Sequence, residues 1–179
     1  AARLGNFPVA SLRISPMERC FETISPWINS VVLPNNPKFA PVIDQELTEV
    51  DYGSWSGRKL AVLSRNKMWK TVQESPSRMY FPGGEGIAQM QSRAMKSVHE
   101  AVSSKAKGSV VIVSHGDVIK SIVASALGMH LDEFQRIVID PASISILDFS
   151  TTKPRTLLLN DSRSVVTELL VAPKRSKNL

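Results

Sequence analysis

Ser114-His115-Gly116-Asp117 is the stretch of this chain best placed to do chemistry. It follows the apolar run Val110-Val111-Ile112-Val113 and precedes Val118-Ile119-Lys120-Ser121-Ile122-Val123. That pattern predicts a buried β-strand, a tight turn at Gly116 and a helix. An imidazole so placed stands at the carboxyl end of a strand, beside a helix N-terminus. Free N–H groups and the helix dipole draw anions to such a terminus, and open α/β sheets bind ligands at that edge. The spacing therefore aims a titratable ring at an anion, and phosphate is the expected species.

Three other segments carry side chains that could meet it: Ser15-Pro16-Met17-Glu18 with Arg19, the turn from Glu49 and Asp51 to Gly57, and the loop Phe81-Pro82-Gly83-Gly84-Glu85-Gly86. The elements that must position them follow from the pattern. Residues 9–14 predict a strand. Ser15 as a cap, Pro16 at the first helical position and Glu18 in a capping box predict a helix start. That helix is expected to end or kink near Pro26, with a loop over 34–41. Residues 46–50 read as extended, and 58–74 as a helix with Leu60, Leu63, Trp69 and Val72 as its apolar members. From Ile87 a helical period places Met90, Ala94, Val98, Ala101 and Val102 on one face, with Gly108 as its C-terminal cap. A helix over 117–127 stops at Gly128, a short one covers 131–136, and 143–149 and 155–159 predict strands; 164–171 favours neither. Strands alternating with helices predict an α/β sandwich with a mainly parallel sheet.

Composition narrows the partners. The chain has 179 residues, 42% hydrophobic and 21% charged, which suits one domain. The net charge of +6 includes Lys174, Arg175 and Lys177, so 173–179 reads as a basic tail after a domain over 1–172. The remaining excess favours small anions. No zinc-ligand spacing or RNA-binding aromatic motif is present, so no nucleic acid is expected. No apolar run reaches membrane-span length, so no membrane is expected either. The lone Cys20 suits a reducing, cytoplasmic setting and a buried place. No Cys/His/Asp cluster has metal-ligand spacing, and no metal or other cofactor is expected. His99 reads as a solvated helix residue and His130 as structural. Trp55, Trp69 and Tyr52 read as packing rather than as a substrate platform.

Four segments, in this order and at these intervals, resemble the histidine phosphatase superfamily, also called the phosphoglycerate mutase-like family. They are Ser15-Pro16-Met17-Glu18-Arg19-Cys20-Phe21-Glu22-Thr23, the run from Leu47 to Gly57, Phe81-Pro82-Gly83-Gly84-Glu85, and Val113-Ser114-His115-Gly116-Asp117. The resemblance extends to about Asp161 and implies a three-layer α/β/α sandwich. It also implies metal-independent hydrolysis of a phosphomonoester through a phosphohistidine, with a phosphomutase or a phosphate-binding module without turnover as the alternatives. By motif match, Arg19 and His115 would hold the phosphoryl oxygens, and Glu49 would be the proton donor, with Asp51 as the weaker substitute. Gly116, Gly84 and Glu85 would lie beside the ligand, a small phosphoester or inorganic phosphate.

The sequence departs from the family in one respect. The family's nucleophile lies in an Arg-His-Gly motif after its first strand. None of His99, His115 and His130 stands in that context. The resemblance thus implies that the first strand is absent, that the strand ending at Ser114 has one unpaired edge, and that the chain is unstable alone or pairs as a homodimer. The short segment between Gly57 and Phe81 favours hydrolysis over mutase action.

Overall fold

The computed structural model describes residues 1–103 and 108–166. Strand β1 (Val9–Ile14) lies between β2 (Val42–Ile43) and β3 (Ser109–Val113), parallel to both. The register sets Ile14 beside Val113, and the Ser15 N–H donates to the Val113 carbonyl. Residues 15 and 114 thus leave the sheet side by side. A separate antiparallel pair follows, β4 (Ile144–Asp148) with β5 (Arg155–Asp161).

Alternation along the strands sorts the two faces. Leu12, Ile14, Val111 and Val113 pack with Cys20, Ile24 and Trp27 of helix α1 (Glu18–Trp27). Ile112 faces the other way, into a core with Met90, Ala94 and Val98 of α5 (Ile87–Ser103) and Val118 and Ile122 of α6 (Gly116–Ala126). Leu147 of β4 joins that second core. The three layers are therefore α1, the sheet, and α5 with α6. The predicted α5 period holds except at Val102, which is 46% exposed. Residues 104–107 and 167–179 are outside the described residues, so the C-terminus of that helix, the basic tail and most of 164–171 are not covered.

The first helix ends at Trp27, next to Pro26 as expected, and the chain continues through a π-turn (Ile28–Val32) into α2 (Leu33–Asn35). Proline removes one donor to the preceding turn, and the Ser25 hydroxyl supplies a replacement, donating to the Glu22 carbonyl at 3.2 Å. Burial of Trp27, Ile28 and Val32 then favours continuation. Against expectation, 58–74 is not one helix but α3 (Leu60–Leu63) and α4 (Trp69–Glu74). The Asn66 side chain accepts the Met68 N–H at 2.9 Å, an Asx turn that competes with a continuous helix. Residues 46–50 are not all extended either, because the Asp44 carboxylate caps a single 3-10 turn (Gln45–Leu47).

Among the described residues, β3 pairs on one side only, and all five of its residues stay half-buried although four of them are apolar. Because the Val113 carbonyl faces β1, strand alternation turns the backbone groups of Val110 and Ile112 to the open edge. Hydrogen exchange checks this: the amides of Val110 and Ile112 should exchange at least tenfold faster than those of Val111 and Val113. Equal, concentration-dependent protection would instead reveal a second copy paired along that edge.

Candidate active site

The β1–β3 register brings Ser15 and His115 together, and α1 adds Arg19 one turn on. His115 is 5% exposed. Its Nδ1 accepts from Arg19 Nη2 at 2.8 Å, and its Nε2 lies 2.7 Å from Ser15 Oγ. A guanidinium only donates, so Nδ1 must carry the lone pair and the ring must be neutral with its proton on Nε2. Burial, then the positive charges of Arg19 and Arg93, push His115 down to about 4. Glu49 closes the triangle, with Oε2 3.9 Å from Arg19 Nη2 and 3.8 Å from His115 Nδ1.

The loop that carries Glu49 has no regular structure of its own and is held from outside. Arg93 of α5 donates to the carbonyls of Glu46 and Glu49 and pairs with Glu85 through Nε and Nη2. The Ser114 hydroxyl donates to the Leu47 carbonyl at 2.7 Å. Burial raises the pKa of Glu49 and the Asp117 charge adds to this, while the Val50 N–H, Arg19 and Arg93 pull it back. A carboxyl raised in this way suits a proton donor. Asp51 is exposed and its side chain accepts the Gly53 N–H, so it belongs to the turn.

Gly84 and Glu85 serve the loop rather than an open ligand space. The Glu85 carboxylate accepts from Arg93 and from the Asp51 N–H. A Cβ on Gly84 would lie 2.2 Å from the Asp51 carbonyl oxygen, and one on Gly53 would lie 2.3 Å from that of Pro82. These glycines let two turns touch. Gly116 differs: a Cβ there meets nothing within 4 Å, leaving space beside His115 at the start of α6.

Several functional side chains escaped the sequence reading. Ser15 was expected to cap α1, but the cap position is Met17, and Ser15 Oγ, 3.4 Å from the Met17 N–H, turns to His115. Arg93 lies one place off the buried stripe of α5, and nothing in its spacing distinguishes it from a solvated arginine. The Tyr52 hydroxyl donates to Asp117 at 3.0 Å, and its ring packs edge-on against Phe81, 5.1 Å between centroids. Trp55 packs on Phe81 and Trp69, as expected of core aromatics. His130 caps the turn at Leu131–Arg136, and His99 is exposed. Cys20 is buried, which raises its pKa. Among the described residues no cluster suited to a metal ion is present, and no helix is long and apolar enough to cross a membrane. A groove of about 380 Å³ lies at the opposite end of β1, lined by Phe7, Val9, Val31 and Phe39 among others, and is separate from His115.

Known proteins share this chain's sequence pattern and fold. A model of the histidine phosphatase superfamily (branch 1) matches residues 1–162. Phosphoserine phosphatase 1 of Hydrogenobacter thermophilus is 26% identical over 119 residues, covering 65% of this chain and 56% of that protein. The α-ribazole phosphatase of Shigella flexneri superposes with a TM-score of 0.75 at 19% identity, over 90% of this chain and 78% of that one. A mycobacterial glucosyl-3-phosphoglycerate phosphatase, solved with inorganic phosphate, gives 0.70 at 21% identity, over 88% and 79%. The chain thus spans little more than half of the curated relative, and the two structures establish the fold.

Two measurements test the geometry. Above pH 6.5 His115 is neutral in the folded and unfolded chain alike. Between 6.5 and about 4 only the unfolded chain takes the proton, so stability should fall by about 3 kcal/mol as pH drops through that window. Chemical denaturation of His115→Gln should lack that slope. Separately, Gly84→Ala should lower stability by about 2–4 kcal/mol, because backbone must move, while Gly116→Ala should leave the melting temperature within a degree or two, as expected of an open site.

Proposed function

This chain belongs to the histidine phosphatase superfamily, branch 1, and on that premise we propose that its site binds the phosphoryl group of a phosphomonoester for hydrolysis. The observation that carries the reading is the convergence of Arg19, His115 and Glu49 within 2.8–3.9 Å of one another where β1 and β3 end. Arg19, whose side chain is 56% exposed, swings from His115 to the anion and neutralises its charge. His115, protonated at Nδ1 once Arg19 has left it, then donates to a second phosphoryl oxygen. Glu49, whose pKa is raised by burial, gives a proton to the departing oxygen as the P–O bond breaks.

In the family's route the phosphoryl passes to the imidazole of an Arg-His-Gly motif and then to water. His99, His115 and His130 lack that context, so these 179 residues supply the phosphate clamp and the acid but not the acceptor. The second reading is a phosphate-binding module without turnover. The substrate on this reading is a small phosphoester, which relatives named as phosphoserine and α-ribazole phosphatases support without choosing one. Hydrolysis is favoured over mutase action by the short α3–α4 segment.

Calorimetry and turnover separate the readings. Inorganic phosphate should bind the chain, and Arg19→Ala should weaken that binding tenfold or more; unchanged affinity would sink the site. p-Nitrophenyl phosphate should remain intact with these 179 residues. If a reading frame extended upstream supplies Arg-His-Gly, turnover should begin. Its rate should then decline as pH rises through the raised Glu49 pKa, and Glu49→Gln should lower it by about 10²–10⁴. An extended frame without turnover would favour the binding module.

A further inference from the structure

We infer that Ser15 is a positioning residue for His115: its hydroxyl oxygen is the fixed acceptor of the Nε2 proton, so that only the Nδ1 edge exchanges Arg19 for a bound oxyanion. The inference rests on the phosphate-site reading above. Ser15 is 1% exposed, and its Oγ sits 2.7 Å from Nε2. Since Arg19 can only donate to Nδ1, the hydrogen on Nε2 must find an acceptor inside the protein. Ser15 Oγ supplies it. Cys20 Sγ is 3.6 Å from Nε2, a weaker acceptor at longer range.

Binding of an oxyanion changes the requirement at one edge only. Arg19 turns to the anion, and Nδ1 must now present a hydrogen, so the ring takes up one proton from solvent and becomes imidazolium. Both ring N–H groups then need acceptors, the anion at Nδ1 and Ser15 at Nε2. The groups facing the ring divide. Arg19 of α1 and Arg93 of α5 oppose its positive charge, the anion favours it, and the Glu49 carboxyl faces Nδ1 from 3.8 Å. Cys20 lies against the ring as a buried thiol. Without Ser15 the imidazolium leaves a buried donor unsatisfied, and protonation in the complex becomes harder.

Imidazole nitrogen NMR on the full chain, with inorganic phosphate as the probe, tests this. Without phosphate, His115 should show the tautomer protonated at Nε2; the other tautomer would overturn the inference. With saturating phosphate, the ring should become doubly protonated below a measurable midpoint. Ser15→Ala should lower that midpoint by about one pH unit and weaken phosphate about tenfold, and Ser15→Thr should restore both. Phosphate's own ionisation is common to all variants and cancels in the comparison. If Ser15→Ala does not fold, Ser15→Cys keeps the volume with a poor acceptor and carries the same expectation. A midpoint unmoved in the variant, with His115 still responding to phosphate, would overturn the Ser15 assignment alone. No response of wild-type His115 to phosphate would overturn the site reading as well.

Discussion

A guanidinium that can only donate meets a ring nitrogen that can also accept, and the contact between Arg19 and His115 organises the whole site. It keeps the imidazole neutral, selects its tautomer and leaves a cation poised at the mouth. The contact depends on a strand register. Ile14 opposite Val113 makes Ser15 and Ser114 neighbours, and the first turn of α1 then brings Arg19 over His115. A slip of one residue would turn these side chains to the other face. The β1–β3 pairing is thus structural and functional at once.

Glu49 is secured differently. Its loop has little regular structure to hold it, so side chains from α5, the end of β3 and the 81–86 loop hold its carbonyls and turns. Gly53 and Gly84 permit backbone contact closer than any side chain allows. The same surroundings separate the two titrations: burial pushes the carboxyl up and the imidazole down. Each shift favours the uncharged form of its group beside the fixed cation of Arg19.

Much of this was legible from local pattern. The apolar run into Ser114-His115-Gly116 predicted β3, the turn and α6, because a buried strand and a helix start each leave a local signature. The α5 stripe from Ile87 was equally clear. Where reading failed, a tertiary interaction had outweighed a local one. Ser15 has the chemistry of a cap, but the hydroxyl goes to a buried imidazole a hundred residues away. The break within 58–74 was the reverse case, a local Asx turn at Asn66 hidden in helix-forming composition.

The sequence by itself determined the kinds of group available: a strand-end histidine, an arginine one turn into a helix, a carboxylate in a turn, and no Arg-His-Gly. Those are matters of residue type and short-range order, and short-range forces are enough to state them. Only the tertiary structure decided which atom faces which. The recruitment of Arg93 to hold Glu49, the tautomer of His115 and the open edge of β3 all arise from contacts between distant segments, whose geometry is set by packing of the two cores and not by any local spacing.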